Sequence, residues 1–421
     1  MLLEFTVENF RSIKNKITFS MIGSSSQKHP ENYFLYKNSP ILKSTVVYGA
    51  NGSGKSNFIQ ALKHASMMIK HSRSFVNMKR KPMAPPFHLD QNCLELPTTF
   101  EFVFAIEDII YRFGFSVKGT IITDEWLYTK NSSRETMQYE RKDNQYRLGR
   151  EFKEGRGLDE KTAESVLFLT VVSELNGELS RRILDWFNKL NILTNDRESS
   201  LFQLSAEILH DRPDISSVII DFMNNADVGI DGLSARKIED KEIPEFFPDE
   251  VRESMMNDYV VYSEHRVRQK DGTIKNKKFN FSEVESEGTK KLFSLSAMVI
   301  STLHIGGVLI LDELDAKLHP LLTRYIVQLF NSEENNPENA QLIFTTHDTG
   351  FLSNRFFRKD QIWFTEKSED GGTDLYSLED LETEDGQKIR SDAPFEKDYI
   401  QGKYGAIPYV NHSVREVPDG F

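Results

Sequence analysis

Apolar and polar positions divide the chain into two β-rich or α/β regions around a charged middle. Leu2 to Phe10 alternates in part and is rich in β-forming residues, and Ile13 to Phe19 repeats the pattern, which predicts a hairpin. Gly23 to Pro40 is polar, with Pro and Asn, and reads as loop. Thr45 to Tyr48 is a short β-branched run ending in the glycine-rich stretch Gly49 to Gly54. Ser56 to Ile69 then places Phe58, Ile59, Leu62, Ala65 and Ile69 at the spacing of one helix face. Lys79 to Pro86 reads as another loop. Thr98 to Phe104 and Ile109 to Val117 alternate strongly and predict paired strands, with Ile121 to Leu127 as a third.

The middle changes character. Charged helical stretches cover Asp159 to Asn176, Leu179 to Leu190 and Ser200 to Asn225, the last interrupted at Pro213, so 135–255 reads as a helical insertion. Arg266, Arg268, Lys270, Lys275, Lys277 and Lys278 surround Asp271-Gly272, the signature of a hairpin with a basic tip. From Glu283 the pattern is α/β. Lys290 to Leu303 predicts a helix, Val308 to Leu311 a buried strand, Leu321 to Phe330 a helix and Gln341 to Thr345 a second buried strand. Gln361 to Phe364 and Thr373 to Tyr376 suggest two more. This order implies a parallel sheet at the core of an α/β fold, divided as 1–134, 135–255 and 256–421.

Composition narrows the function classes. Among 421 residues, 52 Lys+Arg against 64 Asp+Glu give a net charge of −12, which excludes a generally basic nucleic-acid coat. A single cysteine, Cys93, excludes an intrachain disulfide framework and a cysteine-based zinc cluster. The apolar stretch Leu295 to Leu311 is broken by His304 and Gly306-Gly307 and reads as helix then strand, not as a membrane span. The N-terminus lacks the pattern of a secretory signal, so a cytoplasmic protein without membrane contact is expected.

Four stretches carry candidate chemistry. Gly49-Ala50-Asn51-Gly52-Ser53-Gly54-Lys55-Ser56 is a full P-loop, with a strand before it and a helix after it. Its glycines let backbone N–H groups turn toward phosphate oxygens; Lys55 supplies a point charge, Ser56 a hydroxyl for Mg²⁺, and Asn57 follows. Asp312-Glu313 closes the buried run Val308 to Leu311 at its carboxyl end, where α/β sheets bind ligands. Asp312 is the candidate Mg²⁺ ligand and Glu313 the residue that orients or deprotonates the attacking water. His347 follows the strand Gln341 to Thr345 and is placed to contact a γ-phosphate; a lone histidine there also reads as an ordinary packed residue. Ser286 and the Gly288 amide precede a helix and could hold a phosphate, or Ser286 could be a plain N-cap with Thr289 in the first turn.

Together these stretches resemble an ABC-type ATPase of the SMC-, RecF- and OLD-like branch. Ser286 to Thr289 stands for the signature, departing from LSGGQ, Leu314-Asp315 for the D-loop and His347 for the switch histidine. Val7 to Ile13 is similar to the branch's opening strand near the adenine end, and Gln91 is the candidate Q-loop glutamine. Phe100-Glu101-Phe102, Glu125-Trp126-Leu127, Asp227 to Asp231, Gln361 to Phe364 and Gln401 to Pro408 look like the bacterial RloA/AbiL-type phage-defence ATPases, similar in kind to the ATPase subunit of PARIS systems. The resemblance implies an ABC-ATPase fold with a mixed sheet and a helical insertion between P-loop and signature. It also implies Mg²⁺-dependent ATP hydrolysis and a head-to-tail homodimer, or a larger assembly, in which each signature caps the partner's ATP. The biological expectation is an abortive-infection sensor controlling a separate nuclease or toxin encoded nearby, triggered by DNA or a phage protein. A RecF- or SMC-like DNA clamp is the alternative. Only 74 residues follow His347, so no fused nuclease domain is expected.

Overall fold

The computed structural model describes residues 1–74, 84–131, 134–194, 197–226, 228–244, 246–383 and 385–408. In chain order, β1 (Leu2–Glu8), β2 (Ile17–Ser20), β3 (Tyr33–Tyr36), β4 (Ser39–Leu42) and β5 (Ser44–Tyr48) precede α1 (Lys55–His71) and α2 (Gln91–Glu95). The meander β6 (Thr98–Ile106), β7 (Ile109–Lys118), β8 (Ile121–Lys130), β9 (Glu135–Lys142) and β10 (Gln145–Leu148) follows. Next come α3 (Phe168–Glu174), α4 (Glu178–Asn188), β11 (Leu190–Leu193), α5 (Glu198–Asp211), α6 (Pro213–Asn225), β12 (Gly232–Lys237) and α7 (Asp249–Met256). The hairpin β13 (Tyr259–Arg268) and β14 (Ile274–Asn280) runs into α8 (Phe281–Val284) and α9 (Glu287–Ile305). The chain then forms β15 (Val308–Leu311), α10 (Pro320–Asn331), β16 (Gln341–Thr345), β17 (Ile362–Lys367), β18 (Thr373–Ser377) and α11 (Phe395–Ile400).

Two large sheets carry the fold. An antiparallel sheet has the order β10-β9-β8-β7-β6-β1-β2, and a mixed sheet the order β11-β15-β16-β5-β17-β18. In the mixed sheet β11 through β17 pair in parallel and β18 alone is antiparallel. Its central strands β15 and β16 are buried on both faces, which is why they read as short hydrophobic runs. Side-chain alternation divides the sheet's residues between two cores. Val47, Val308, Ile310, Ile343 and Trp363 join the core shared with α1, α3, α4 and the antiparallel sheet. Val46, Tyr48, Leu309, Leu311, Leu342, Phe344, Ile362 and Phe364 join the core under α5, α6, α9 and α10. The first core is aromatic: Phe5 packs on Phe102 with ring centroids 4.7 Å apart, and Phe104 stacks on Trp186 at 4.1 Å.

The structure revises three expectations. Gly23 to Pro40 is not all loop: it contains β3 and the start of β4, paired Tyr33 to Leu42 through Tyr36 to Ser39. The stretch 135–255 is not all helical, since β9 and β10 extend the antiparallel sheet, β11 forms one edge of the mixed sheet and β12 pairs with β13. Within Asp159 to Asn176 the α-helix covers Phe168–Glu174 alone. Part of Lys79 to Pro86, and Asp227, lie outside the described residues. No helix among the described residues is long and apolar enough to cross a membrane.

His64, on α1, packs against the rings of Phe10 and Phe100, and its Nε2 is buried without a hydrogen-bond partner. Burial, with the Arg11 charge adding, holds its imidazole pKa down to about 4. The unfolded chain takes up that proton at the ordinary value of 6.5, so the stability contributed by neutral His64 is lost as pH falls from 6.5 to about 4. We expect His64→Leu to lose less stability than wild type across that window in denaturant titrations. Parallel losses in the two proteins would refute the assignment.

Candidate functional site

The parallel register aligns the carboxyl ends of three neighbouring strands. Thr345 pairs with Val47, and Leu311 with Phe344, so the P-loop, Asp312-Glu313 and Thr346-His347 leave the sheet at one edge. The P-loop glycines are required by contact. A Cβ on Gly49 would lie 2.5 Å from Ser53 Oγ and from the Thr365 carbonyl oxygen. One on Gly54, where φ is +116°, would lie 2.6 Å from Thr373 Cγ2. A hydroxyl network holds the loop behind these positions. Ser53 Oγ is 2.6 Å from Thr365 Oγ1, Thr373 Oγ1 donates to the Ser53 carbonyl at 2.9 Å, and Ser12 Oγ lies 2.8 Å from Thr373 Oγ1. Asn57 Nδ2 donates to Ser12 Oγ at 2.7 Å, so its amide fastens α1 to the amino-terminal segment. Asn51, Gly52 and Ser56 are exposed on the open side.

Lys55 is buried and donates to the carbonyls of Gly49 at 2.7 Å and Ala50 at 3.2 Å. Burial lowers its pKa, and the carboxylates of Asp312, Glu313 and Asp315 oppose that shift. Thr345 organises these carboxylates. Its hydroxyl donates to Asp312 Oδ1 at 2.7 Å and accepts the Glu313 backbone N–H at 2.7 Å. Glu313 sits at φ +53°, a left-handed conformation that costs about 1–2 kcal/mol in a non-glycine residue. Asp315 Oδ2 accepts the His347 N–H at 3.1 Å, while its Oδ1 is buried without a partner. A cleft of about 400 Å³ opens between Gly49-Ala50-Asn51, Thr346-His347 and residues 399–408 near the C-terminus.

The structure thus brings together Gly49, Asn51, Lys55, Asp312, Glu313, Asp315 and His347. It does not bring Ser286 or Gly288 to the same cleft. Ser286 is exposed and caps α9, its Oγ accepting the Thr289 N–H at 3.1 Å. Gly288 packs on the segment after Leu314-Asp315, where a Cβ would lie 2.9 Å from the Lys317 carbonyl oxygen. Gln91 is exposed in the five-residue helix α2 and does not line the cleft. The sequence does not mark Thr345, Thr365 and Thr373 as site residues. Their signal was a hydroxyl-bearing β-branched residue in or at the end of a strand beside a motif, which looks like ordinary strand composition.

A family model described as "AAA domain, putative AbiEii toxin, Type IV TA system" matches residues 44–353, well over half of the chain. The chain belongs to this family. Membership makes it an ABC-like P-loop ATPase, implies ATP binding and ATPase activity, and sets it in a toxin–antitoxin, defence-related context. No curated protein matches the chain. The AAA match begins at the first residue of β5 and ends just past the helical turn Thr349–Phe351, so it contains the P-loop, Asp312-Glu313 and His347.

Two substitutions test this geometry. Thr345→Val keeps the shape but removes both hydroxyl bonds; ATP hydrolysis should fall about 10- to 100-fold with ATP affinity little changed, and an unaltered turnover rate would deny Thr345 its organising role. Gly54→Ala should abolish binding of a fluorescent ATP analogue, because its Cβ cannot be accommodated beside Thr373; retained affinity would show that the loop relaxes.

Proposed function

We propose that this chain is the ATP-hydrolysing subunit of a defence system, a nucleotide-driven dimeric switch that controls a separate effector protein. The observation carrying this reading is the separation of the two phosphate-binding stretches. Gly49 to Asn51 and His347 line one cleft, and the acidic edge leaves the sheet at the same end, whereas exposed Ser286 and half-buried Gly288, at the start of α9, do not line it. A second copy docked head to tail would bring its Ser286 to this chain's nucleotide and complete two equivalent sites.

In this reading Lys55, Asn51 and the P-loop amides hold the β- and γ-phosphates, Asp315 belongs to the nucleotide-binding set through its bond to the His347 N–H, Glu313 orients the attacking water and His347 contacts the γ-phosphate. Mg²⁺ would be held by the Ser56 hydroxyl and the Asp312 carboxylate. Those are the hard oxygen donors that ion takes, and because it keeps waters and phosphate oxygens as further ligands, two protein donors suffice. Bound Mg²⁺ would neutralise charge on the phosphates. Loss of the γ-phosphate on hydrolysis removes the bridge between subunits and favours opening, which is how the nucleotide state would reach an effector nuclease or toxin. DNA or a phage protein is the trigger class, and a larger assembly is compatible with the same contacts.

The second reading, a RecF- or SMC-like DNA clamp, draws on the β13–β14 hairpin. Two of its six basic residues are already paired, Arg266 with Asp231 and Lys278 with Glu264, leaving Arg268, Lys270, Lys275 and Lys277 as its support. Salt-sensitive DNA binding that disappears when these four are neutralised would favour it.

Glu313→Gln tests the switch. The variant should lose hydrolysis by about 10²- to 10⁴-fold while binding ATP, and light scattering with ATP and Mg²⁺ should find it dimeric. A monomer under those conditions sinks the sandwich, and a companion polypeptide co-purifying from expression with the neighbouring gene would identify the effector.

A further inference from the structure

The family match ends at residue 353, yet residues 399–408 wall the phosphate cleft: Tyr399, Ile400, Ile407 and Pro408 line it together with Gly49–Asn51 and His347. Two contacts join this late segment to the site. Thr349 Oγ1, two residues after His347, donates to Glu396 Oε1 on α11 at 2.6 Å. The buried Tyr399 ring lies 5.8 Å from the ring of Tyr48 and stacks on Phe364 at 5.5 Å. Tyr48 is the last residue before the P-loop, and its hydroxyl donates to the Asp348 carbonyl at 2.9 Å. One short helix therefore braces both the entry to the P-loop and the turn that follows His347.

The segment is itself tightly fastened. Tyr399 OH donates to the Ala406 carbonyl at 3.0 Å, Tyr376 OH to the Tyr404 carbonyl at 2.8 Å, and the Ala406 N–H to Glu366 Oε1 at 3.1 Å. Gly405 adopts φ +67°, where a Cβ would lie 2.6 Å from Glu366 Oε2, and Ala406 adopts φ +57°. A left-handed alanine persists only where its surroundings over-determine it. Here they fix a turn whose outer face is the wall of the cleft.

We propose that residues 395–408 are a positioning element for this site: α11 clamps the His347 turn to the P-loop, and hydrolysis depends on that clamp. The proposal rests on the ATPase reading above. His347 is exposed and its N–H is tied to Asp315. Glu396, together with Tyr399 acting through Tyr48, supplies the fixed points on the other side of the turn. Because the P-loop is also fastened through Thr365, Thr373 and Ser12, losing the clamp acts mainly on the placement of His347, so it belongs to turnover more than to nucleotide capture.

The test is steady-state ATP hydrolysis of the full chain, with affinity for a non-hydrolysable ATP analogue measured by calorimetry. Tyr399→Ala should lower kcat by about tenfold or more with KM and analogue affinity within about twofold, and Tyr399→Phe, which keeps the ring, should recover most of it. Because Tyr399→Ala also opens the core, the exposed pair is tested separately. Glu396→Ala should lower kcat about threefold without changing the melting temperature, and Glu396→Gln, whose amide oxygen accepts the same bond, should restore it. Unchanged kcat in both alanine variants, an equal loss of analogue affinity, or failure of glutamine to rescue would each overturn the clamp. Wild type and His347→Ala serve as references. If wild type does not hydrolyse ATP, or His347→Ala hydrolyses it equally well, the ATPase or His347 reading fails and the clamp falls with it.

Discussion

The site depends on the register of β15, β16 and β5. A strand that is apolar on both faces is poorly registered by hydrophobic burial alone, because a one-residue slip exchanges one apolar face for another. Buried polar residues at the amino ends supply the missing specification. Gln341 accepts the Leu2 N–H and donates to the carbonyls of Leu2 and Leu42. Gln361 donates to the Ser44 carbonyl and accepts from Asn32, and Ser44 Oγ donates to Asn331. A slip would strand several of these groups without partners, each costing about 1–3 kcal/mol. With the amino ends pinned, the carboxyl ends follow, and Thr345 reaches Asp312 and Glu313 across the β15–β16 pair.

The antiparallel sheet serves the same end from the other side of α1. Its aromatic residues bury one face of the P-loop helix, while Ser12, in the turn after β1, reaches Thr373 and Asn57. The P-loop is therefore fastened to three separated parts of the chain: the amino-terminal segment, β17 through Thr365, and β18 through Thr373. Hydroxyl contacts of this kind fix a backbone without filling the space in front of it. Gly52, with nothing within 4 Å of a Cβ, marks where that space begins.

Much of this was legible from sequence where burial was complete. Val308 to Leu311 and Leu342 to Phe344 are unbroken short apolar runs that read as buried strands, and the P-loop fixed its own strand and helix. Legibility failed where an element is half exposed or very short. Glu135 to Lys142 reads as charged and helical, yet it is a strand whose partners β8 and β10 tolerate solvent on one side. Gly23 to Pro40 reads as loop because it is polar with Pro and Asn, yet Tyr33 to Leu42 forms a small hairpin separate from the large sheets. Leu190-Asn191-Ile192-Leu193 follows α4 after a single residue, so the helical period ran on into a parallel strand. The α11 wall was invisible for a different reason: its relation to the P-loop is purely spatial, with Tyr399 and Gly49 350 positions apart in the chain.

Lys55 shows how these constraints converge on one charge. Burial works against its ammonium and lowers its pKa, and the charges of Asp312, Glu313 and Asp315 oppose that shift in part. Its hydrogen bonds run to the Gly49 and Ala50 carbonyls, oxygens of the same loop that would surround a phosphate. Transferring those bonds to phosphate oxygens exchanges neutral acceptors for charged ones without leaving a donor unsatisfied, and charge-assisted bonds are about twice as strong as neutral ones. The lysine is in this way preorganised: it is held close by weak acceptors, and the acidic edge that opposes the cost of burying its charge is itself set by the register of the sheet.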